Sequence, residues 1–541
     1  MRENLDVEEV VANDAATSEL TDEPAAAAAG PIRRVVQARG LPETVLVLLM
    51  ALWSYQFIRL SMLRYDRFHT FGFDLGIYDQ GIWLLSRAKD PFVTLRGLEF
   101  FGHHANIALL LFVPFYRLGA GPIFLLVVQV LAQASGAIAV FLLARDLLHS
   151  KWAGVGLGGA LLLNPTYQWL AWEFFHPDAM AIGPLLFAYW AARQRRWGWF
   201  WCAAVLTVLC KEDFALAVAV IGCLVFFRGE RRQGAAVALG AVAYFLFATR
   251  VLITGQNGIG PFYDSFFGRL GRSPSEIAFN SVRHPGETWR LASAQDRRSW
   301  YWRIFAPWAF VPFLDLRALA IAGSAIFIDI VSSFPYTRDY RYHYSAIVVA
   351  GCAVATVEAI AWIAKRQRSG STTRWLMVCV VLAAAAVASY AWGCARYSRP
   401  YRGAWPIAAD PRVGAKARAV KLVPPGAAAS VDYDTDTHMT HREKIYEFPV
   451  PWCNVNWGVR GEHLDDPAAV QYLVIDRDTL GDPRDLALLA DLLSHEFKVI
   501  SEDQRVLVAR RVNPPDVPLG PNPRVGECFP RPALDPFQLV Q

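Results

Sequence analysis

The feature that most constrains this chain is a series of apolar runs, several about the length of a bilayer crossing, separated by short clusters of Arg and Lys. The first covers residues 41–60, and the next of full length covers 121–143. Others follow at 152–170, 179–192, 197–210, 214–227, 234–253, 304–316, 318–334, 344–363 and 375–394. Inside hydrocarbon every backbone polar group must bond within the chain, so runs of this kind fold as helices. They predict a polytopic α-helical membrane protein with about eleven transmembrane helices. Composition agrees, because 19% charged residues against 54% hydrophobic leaves too little charge to cover a soluble fold of this size.

The basic clusters set the expected orientation. Arg33, Arg34 and Arg39 precede the first run and predict a cytoplasmic N-terminus. Segment 107–115 is too short to cross and reads as an amphipathic helix lying on the membrane. With that choice Arg145, Arg193, Arg195, Arg196, Arg228, Arg231, Arg232, Lys365, Arg366 and Arg368 all fall on the cytoplasmic side. The net charge of +5 is then a topology signal, and no nucleic-acid partner is expected. The expected location is the plasma membrane, with the bilayer as the first partner.

The expected division has four parts. Residues 1–40, Ala-rich and acidic with no cleavable apolar core, form a disordered cytoplasmic tail. Residues 41–395 form the transmembrane domain, with long outer loops at about 61–120 and 254–302. Residues 396–512 read as a small extracytoplasmic α/β domain, with short strands near 428–431, 471–475, 497–500 and 506–509 and a helix at 486–495. Residues 513–541 are a Pro-rich tail. Cys453 and Cys528 are the thiols outside the apolar part, so a disulfide between them is open.

In this topology the unusual polar groups gather on the outer face. One loop carries Asp74 and Asp79, then His103 and His104; the next carries Glu173, His176 and Asp178. A tight turn carries Lys211, Glu212 and Asp213, and a later one Arg338, Asp339, Tyr340, Arg341, Tyr342 and His343. Each cluster alone could end a helix in headgroup water, but ionisable groups at a bilayer edge usually face a cavity or each other. Together, with aromatics beside each, they read as the walls of a site. Asp74 has a second reading as an N-cap, and Lys211-Glu212-Asp213 as an internally paired turn. No cofactor is expected with certainty. Adjacent His103 and His104 do not chelate one ion together, and a divalent cation held by either with Glu173, His176 or Asp178 stays open.

Asp74-Leu75-Gly76-Ile77-Tyr78-Asp79-Gln80, Phe175-His176-Pro177-Asp178 and Lys211-Glu212-Asp213 resemble a family of bacterial membrane proteins, domain of unknown function number two thousand and seventy-nine. Tyr340 to Tyr344 and His441-Arg442-Glu443-Lys444-Ile445-Tyr446-Glu447-Phe448-Pro449 are similar to that family too. Its layout in turn resembles the GT-C glycosyltransferases, which take sugars from polyprenyl-phosphate donors at the outer membrane face. The adjacent acidic dyad of the better-known members of that superfamily is absent.

The resemblance implies an inverting transfer from a polyprenyl-phosphate-linked sugar to an envelope glycan or protein acceptor. It makes Asp74 the catalytic base, with Asp79 its substitute. Topology supplies Lys211, Arg338 and Arg341 as outer-face cations able to meet a phosphate. His176 and His103 would bond phosphate or sugar, Tyr340 and Tyr342 would stack on sugar faces together with Trp172 and Phe175, and Glu173, Asp178 and Glu212 complete the polar wall. The alternatives are a transporter or flippase of a lipid-linked substrate, and a non-catalytic envelope assembly protein. A transporter places its ionisable groups at the bilayer midplane, often between related halves. An assembly protein would tolerate loss of Asp74.

Overall fold

The computed structural model describes residues 40–512, apart from 259–265, 269, 272, 368, 454–462 and 464. The expected tails at 1–39 and 513–541 lie outside the described residues.

The longer helices among the described residues are α1 (Leu41–Asp66), α2 (Ile77–Ser86), α3 (Pro122–Leu148), α4 (Lys151–Leu163), α5 (Pro165–Trp172), α6 (Pro177–Arg193), α7 (Trp197–Cys210), α8 (Phe214–Phe227) and α9 (Arg231–Phe247). After them come α10 (Pro274–Arg283), α11 (Pro285–Ala292), α12 (Gln295–Phe305), α13 (Gly323–Val331), α14 (Ala346–Ala364), α15 (Gly370–Trp392), α16 (Arg412–Leu422) and α17 (Pro483–His495). Proline opens α3, α5, α6, α11 and α17, where its missing N–H costs nothing. Ser150 and Asn164 cap α4 and α5 through their side chains.

Among the described residues five helices are long and apolar enough to cross a membrane by length and composition: Leu41–Asp66, Pro122–Leu148, Arg231–Asn257, His343–Ala364 and Gly370–Trp392. The remaining runs do not reach that length as single helices. Run 152–170 is two helices, because Asn164 leaves the helix and caps the next one at Pro165. Runs 304–316 and 318–334 are broken further. Pro307 and Pro312 each open a short 3₁₀ turn, and α13 is the longest regular piece left. Segment 107–115 is likewise a 3₁₀ turn followed by the short helix Val113–Arg117.

His343–Ala364 is the axis of the bundle, with 89% of its most apolar window buried, against 28% for Gly370–Trp392. Helices α8 and α9 approach closely through glycine. A Cβ on Gly222 would lie 2.6 Å from the Ala238 backbone nitrogen. At one end of the bundle Glu358 of α14 accepts from Arg193 at 2.7 Å and from Arg228 at 3.4 Å. The C-terminal ends of α6 and α8 therefore share a level, as the alternation of basic clusters requires. The turns at 173–176 and 211–213 lie at their opposite ends.

The C-terminal part holds a five-stranded sheet in the order β4-β3-β5-β7-β6, from strands β3 (Ala429–Val431), β4 (Ile445–Glu447), β5 (Tyr472–Asp476), β6 (Phe497–Asp503) and β7 (Val506–Arg511). A separate hairpin, β1 (Phe92–Val93) with β2 (Leu98–Glu99), lies in the first long loop. Strands β3, β4 and β5 are parallel, and β7 and β6 add antiparallel edges. Four of the expected strands and the helix are present; β4, too short to show as an alternating run, is additional. Cys453 is disulfide-bonded, and Cys528 lies outside the described residues.

The first long loop is clamped onto this sheet. Thr94 Oγ1 donates to the Ile445 carbonyl at 2.6 Å, Thr70 and Thr437 hydroxyls meet at 2.7 Å, and His438 stacks on Tyr65 and Phe68.

Candidate functional site

A cavity of about 300 Å³ opens where the loops meet the helix ends. Its polar lining includes Asp74, His103, His104, His176, Asp178 and Lys211. Glu212, Asp213, His343 and Tyr344 join them. Most of the expected polar clusters therefore converge on one space.

Asp74 sits on a single π-helical turn, Gly72–Gly76, that runs into α2. Such turns insert a residue into the helical ladder and re-aim a side chain. Asp74 lies inside this turn, whose N-cap is Phe71, and Gly76 is the N-cap of α2, so the N-cap reading is set aside. Instead its Oδ1 lies 3.3 Å from His176 Nε2, and 28% of the side chain stays exposed. The His176 turn is fixed from below. Gln129 accepts from the His176 N–H at 2.5 Å and donates to the Leu170 and Phe174 carbonyls. Phe174 has a φ of 32°, strained for a residue with a Cβ, and the Arg64 guanidinium lies 4.1 Å over its ring. Arg64 also donates to the Trp172 carbonyl at 2.7 Å. Burial works against a charge on His176, yet the Glu173 and Asp74 carboxylates outweigh it and lift its pKa to about 9.

Beside this pair, His343 stacks on His176 with ring centres 3.9 Å apart, and its Nδ1 lies 2.8 Å from Glu173 Oε1. Glu173 stands behind the cavity wall. The turn at 211–213 supplies the other side. Lys211 Nζ is 2.8 Å from Asp178 and 3.8 Å from Asp213. Burial lowers the pKa of this ammonium, but Asp178 and its acidic neighbours more than reverse that. Glu212 takes His104 Nδ1 at 2.8 Å and the Ala105 N–H at 3.1 Å. Burial alone would raise the Glu212 carboxyl, and His104 instead brings it to about 2. Asp213, buried beside other carboxylates, is pushed up to about 7. An apolar wall of Phe245, Phe266, Phe267, Ile277, Phe327 and Phe334 faces these groups.

Several expected site residues lie elsewhere. Asp79 is fully buried outside the cavity. It accepts from Tyr116 at 2.6 Å and from Thr440, with His441 Nε2 at 3.2 Å. Arg338 is turned to Asp296 at 2.9 Å and to the Ser332 carbonyl. Arg341 is paired with Asp339 and lies near Trp169. Tyr340 donates to the Trp392 carbonyl and packs on Trp169, while Tyr342 packs on Tyr336. A basic side chain in a polar loop does not reveal which way it turns, and these pairs are set by tertiary packing. His343 received no role from the sequence, and its place in an aromatic run was the one signal that could have found it.

A bundle of apolar helices whose loops converge ionisable side chains on one cavity defines a multi-pass membrane protein with a polar-lined cavity. The chain belongs to the family described as predicted membrane protein DUF2079, whose profile matches residues 64–507. No curated protein matches it. Among solved structures it is similar to ArnT from Cupriavidus metallidurans in the apo state, at 15% identity and TM-score 0.45, over 85% of this chain and 98% of that one. It is also similar to the Archaeoglobus fulgidus oligosaccharyltransferase complexed with Zn and sulfate, at 14% identity and TM-score 0.36, over 80% of this chain and 68% of the other.

Proposed function

We propose that this protein is a membrane glycosyltransferase of the GT-C kind, moving a sugar from a polyprenyl-phosphate donor to an envelope acceptor at the outer face. The observation that carries the reading is Asp74, a carboxylate partly exposed in the cavity and held in place by His176. An acceptor hydroxyl attacks the anomeric carbon while Asp74 takes its proton. The bond from that carbon to the phosphate oxygen breaks, and the phosphate leaves with the electron pair. One displacement of this kind inverts the anomeric centre.

The apolar wall of Phe266, Phe267, Ile277 and Phe327 suits an isoprenoid chain, and the polar wall opposite suits a sugar phosphate. Lys211 is the ammonium in the lining nearest to that role. Asp79 takes the role of a positioning residue, since its partners tie the Asp74 loop to the C-terminal sheet.

The test compares lipid-linked sugars and envelope glycans in cells with wild type, no protein, or Asp74→Asn at matched expression. The transferase reading expects one glycan to vanish, and its polyprenyl-phosphate donor to accumulate, in both mutant strains. An intact glycan profile in the null strain, or wild-type behaviour of Asp74→Asn, rejects it.

A further inference from the structure

The turn after α5 brings together metal-ligating side chains from two distant stretches. One ligand atom each from Glu173, His176 and His343 lies within 4.8 Å of the others. Glu173 is 2% exposed, and while its Oε1 meets His343, its Oε2 is buried with no hydrogen-bond partner among the described residues. A carboxylate oxygen orphaned this deeply is costly unless a cation reaches it. Charge in the cavity points the same way. Asp74, Asp178, Glu212 and Asp213 line it with the ammonium of Lys211, which already serves Asp178 and Asp213, and with His176 and His104, which meet Asp74 and Glu212.

The geometry points to a divalent transition-metal site made by Glu173, His176 and His343, with Asp74 beside it, selective for zinc or an ion of similar ligand preference. Two imidazoles and a carboxylate suit such ions, whereas magnesium prefers an all-oxygen shell. Tetrahedral zinc at about 2.1 Å from each ligand places the ligand atoms ~3.4 Å apart, so ligand atoms lying within 4.8 Å of one another need shift by no more than about 1.4 Å. The turn that carries Glu173 and His176 is already fixed by Gln129 and Arg64. Asp74 then stands next to a dication and an open coordination position. The site rests on this geometry alone. Only its role rests on the transferase reading, in which the ion offsets the growing charge of the departing phosphate where carboxylates outnumber ammonium groups.

The experiment uses the full chain in detergent, free of a polyhistidine tag, stripped with chelator and titrated with zinc alone. Bound metal is counted after desalting, and cobalt is added in parallel for its visible absorption. Wild type should hold about one zinc per chain, and Glu173→Gln and His343→Gln should each bind at least about tenfold more weakly and lose the cobalt bands. His441→Gln, outside the cavity, should bind as wild type. Melting temperature with and without zinc shows whether each variant folds. A folded variant melts without the zinc-dependent rise, and if one variant does not fold the other carries the comparison. No zinc on wild type, or equal zinc on wild type and both folded variants, overturns the site. Glycan analysis of the Asp74→Asn strain fails or succeeds independently of this count, so the two readings separate.

Discussion

Asp74 Oδ1 and His176 Nε2 face each other at 3.3 Å across a boundary between two distant loops, one from the segment after α1 and one from the turn before α6. The contact joins a partly exposed carboxylate to a buried imidazole. It makes the position of one depend on the other.

If Asp74 takes the acceptor proton, its replacement should act on the chemical step. Asp74→Asn keeps the shape and removes the base, and the expected loss of transfer is about a hundredfold to ten-thousandfold, the usual span for a general base. Expression and melting temperature should stay close to wild type. The measurement is glycan yield per folded protein in membranes, and loss of folded protein in place of yield would contradict the role.

Asp79 should behave in the opposite way. Its carboxylate is fully buried against Tyr116 and Thr440. Tyr116→Phe leaves one oxygen short of a donor and should cost about 1–3 kcal/mol. Asp79→Asn should also lower the melting temperature, and the two changes together should cost less than their sum, because they act on one contact. Thermal unfolding of the four proteins in one detergent supplies the cycle. Strict additivity would show that the pair does not interact.

Gly72 is fixed by what lies over it. A Cβ there would run into Asp436 Oδ2, which is buried with no hydrogen-bond partner among the described residues. Gly72→Ala should therefore displace the π-helical turn that carries Asp74 and cut transfer more than it cuts folding. Asp436→Ala opens the space, so the double variant should regain activity relative to Gly72→Ala alone. Absence of any rescue would mean that backbone conformation, and not this overlap, holds the glycine.

These contrasts show what the residues reveal in order. Apolar runs are local, so the helices at Leu41–Asp66, Pro122–Leu148 and Gly370–Trp392 are legible directly. Runs interrupted by Pro165, Pro307 and Pro312 look continuous by hydropathy and are broken by backbone chemistry. The polar clusters at 74, 176–178 and 211–213 are visible because charge is rare near a bilayer. Which of two aspartates five residues apart faces the cavity is not visible. A π-helical turn changes the angle between them, and Asp79 finds its partners in Tyr116 and Thr440, far along the chain. Arg338 and Arg341 are settled in the same way, by neighbours at Asp296 and Asp339.

The ends of β3 and β5 hold a second charged group whose stability should follow pH. Asp432 is buried, accepting from Thr435 at 2.9 Å and from the Asp476 N–H at 3.2 Å, and Lys416 Nζ lies 3.4 Å away with Asp434 and Asp476 around it. Burial raises the Asp432 carboxyl to about 7, against the pull of Lys416. The folded state thus keeps a proton that the unfolded chain gives up near 3.8. Between about pH 4 and pH 7 the native form binds more protons, so stability from this group falls as pH rises and is lost above 7. Hydrogen exchange of the β3 and β5 peptides, corrected for the intrinsic rate, should show protection declining across that window. Asp432→Asn removes the titrating group and should flatten the decline. A decline of equal slope in Asp432→Asn would assign it to another carboxylate of the cluster.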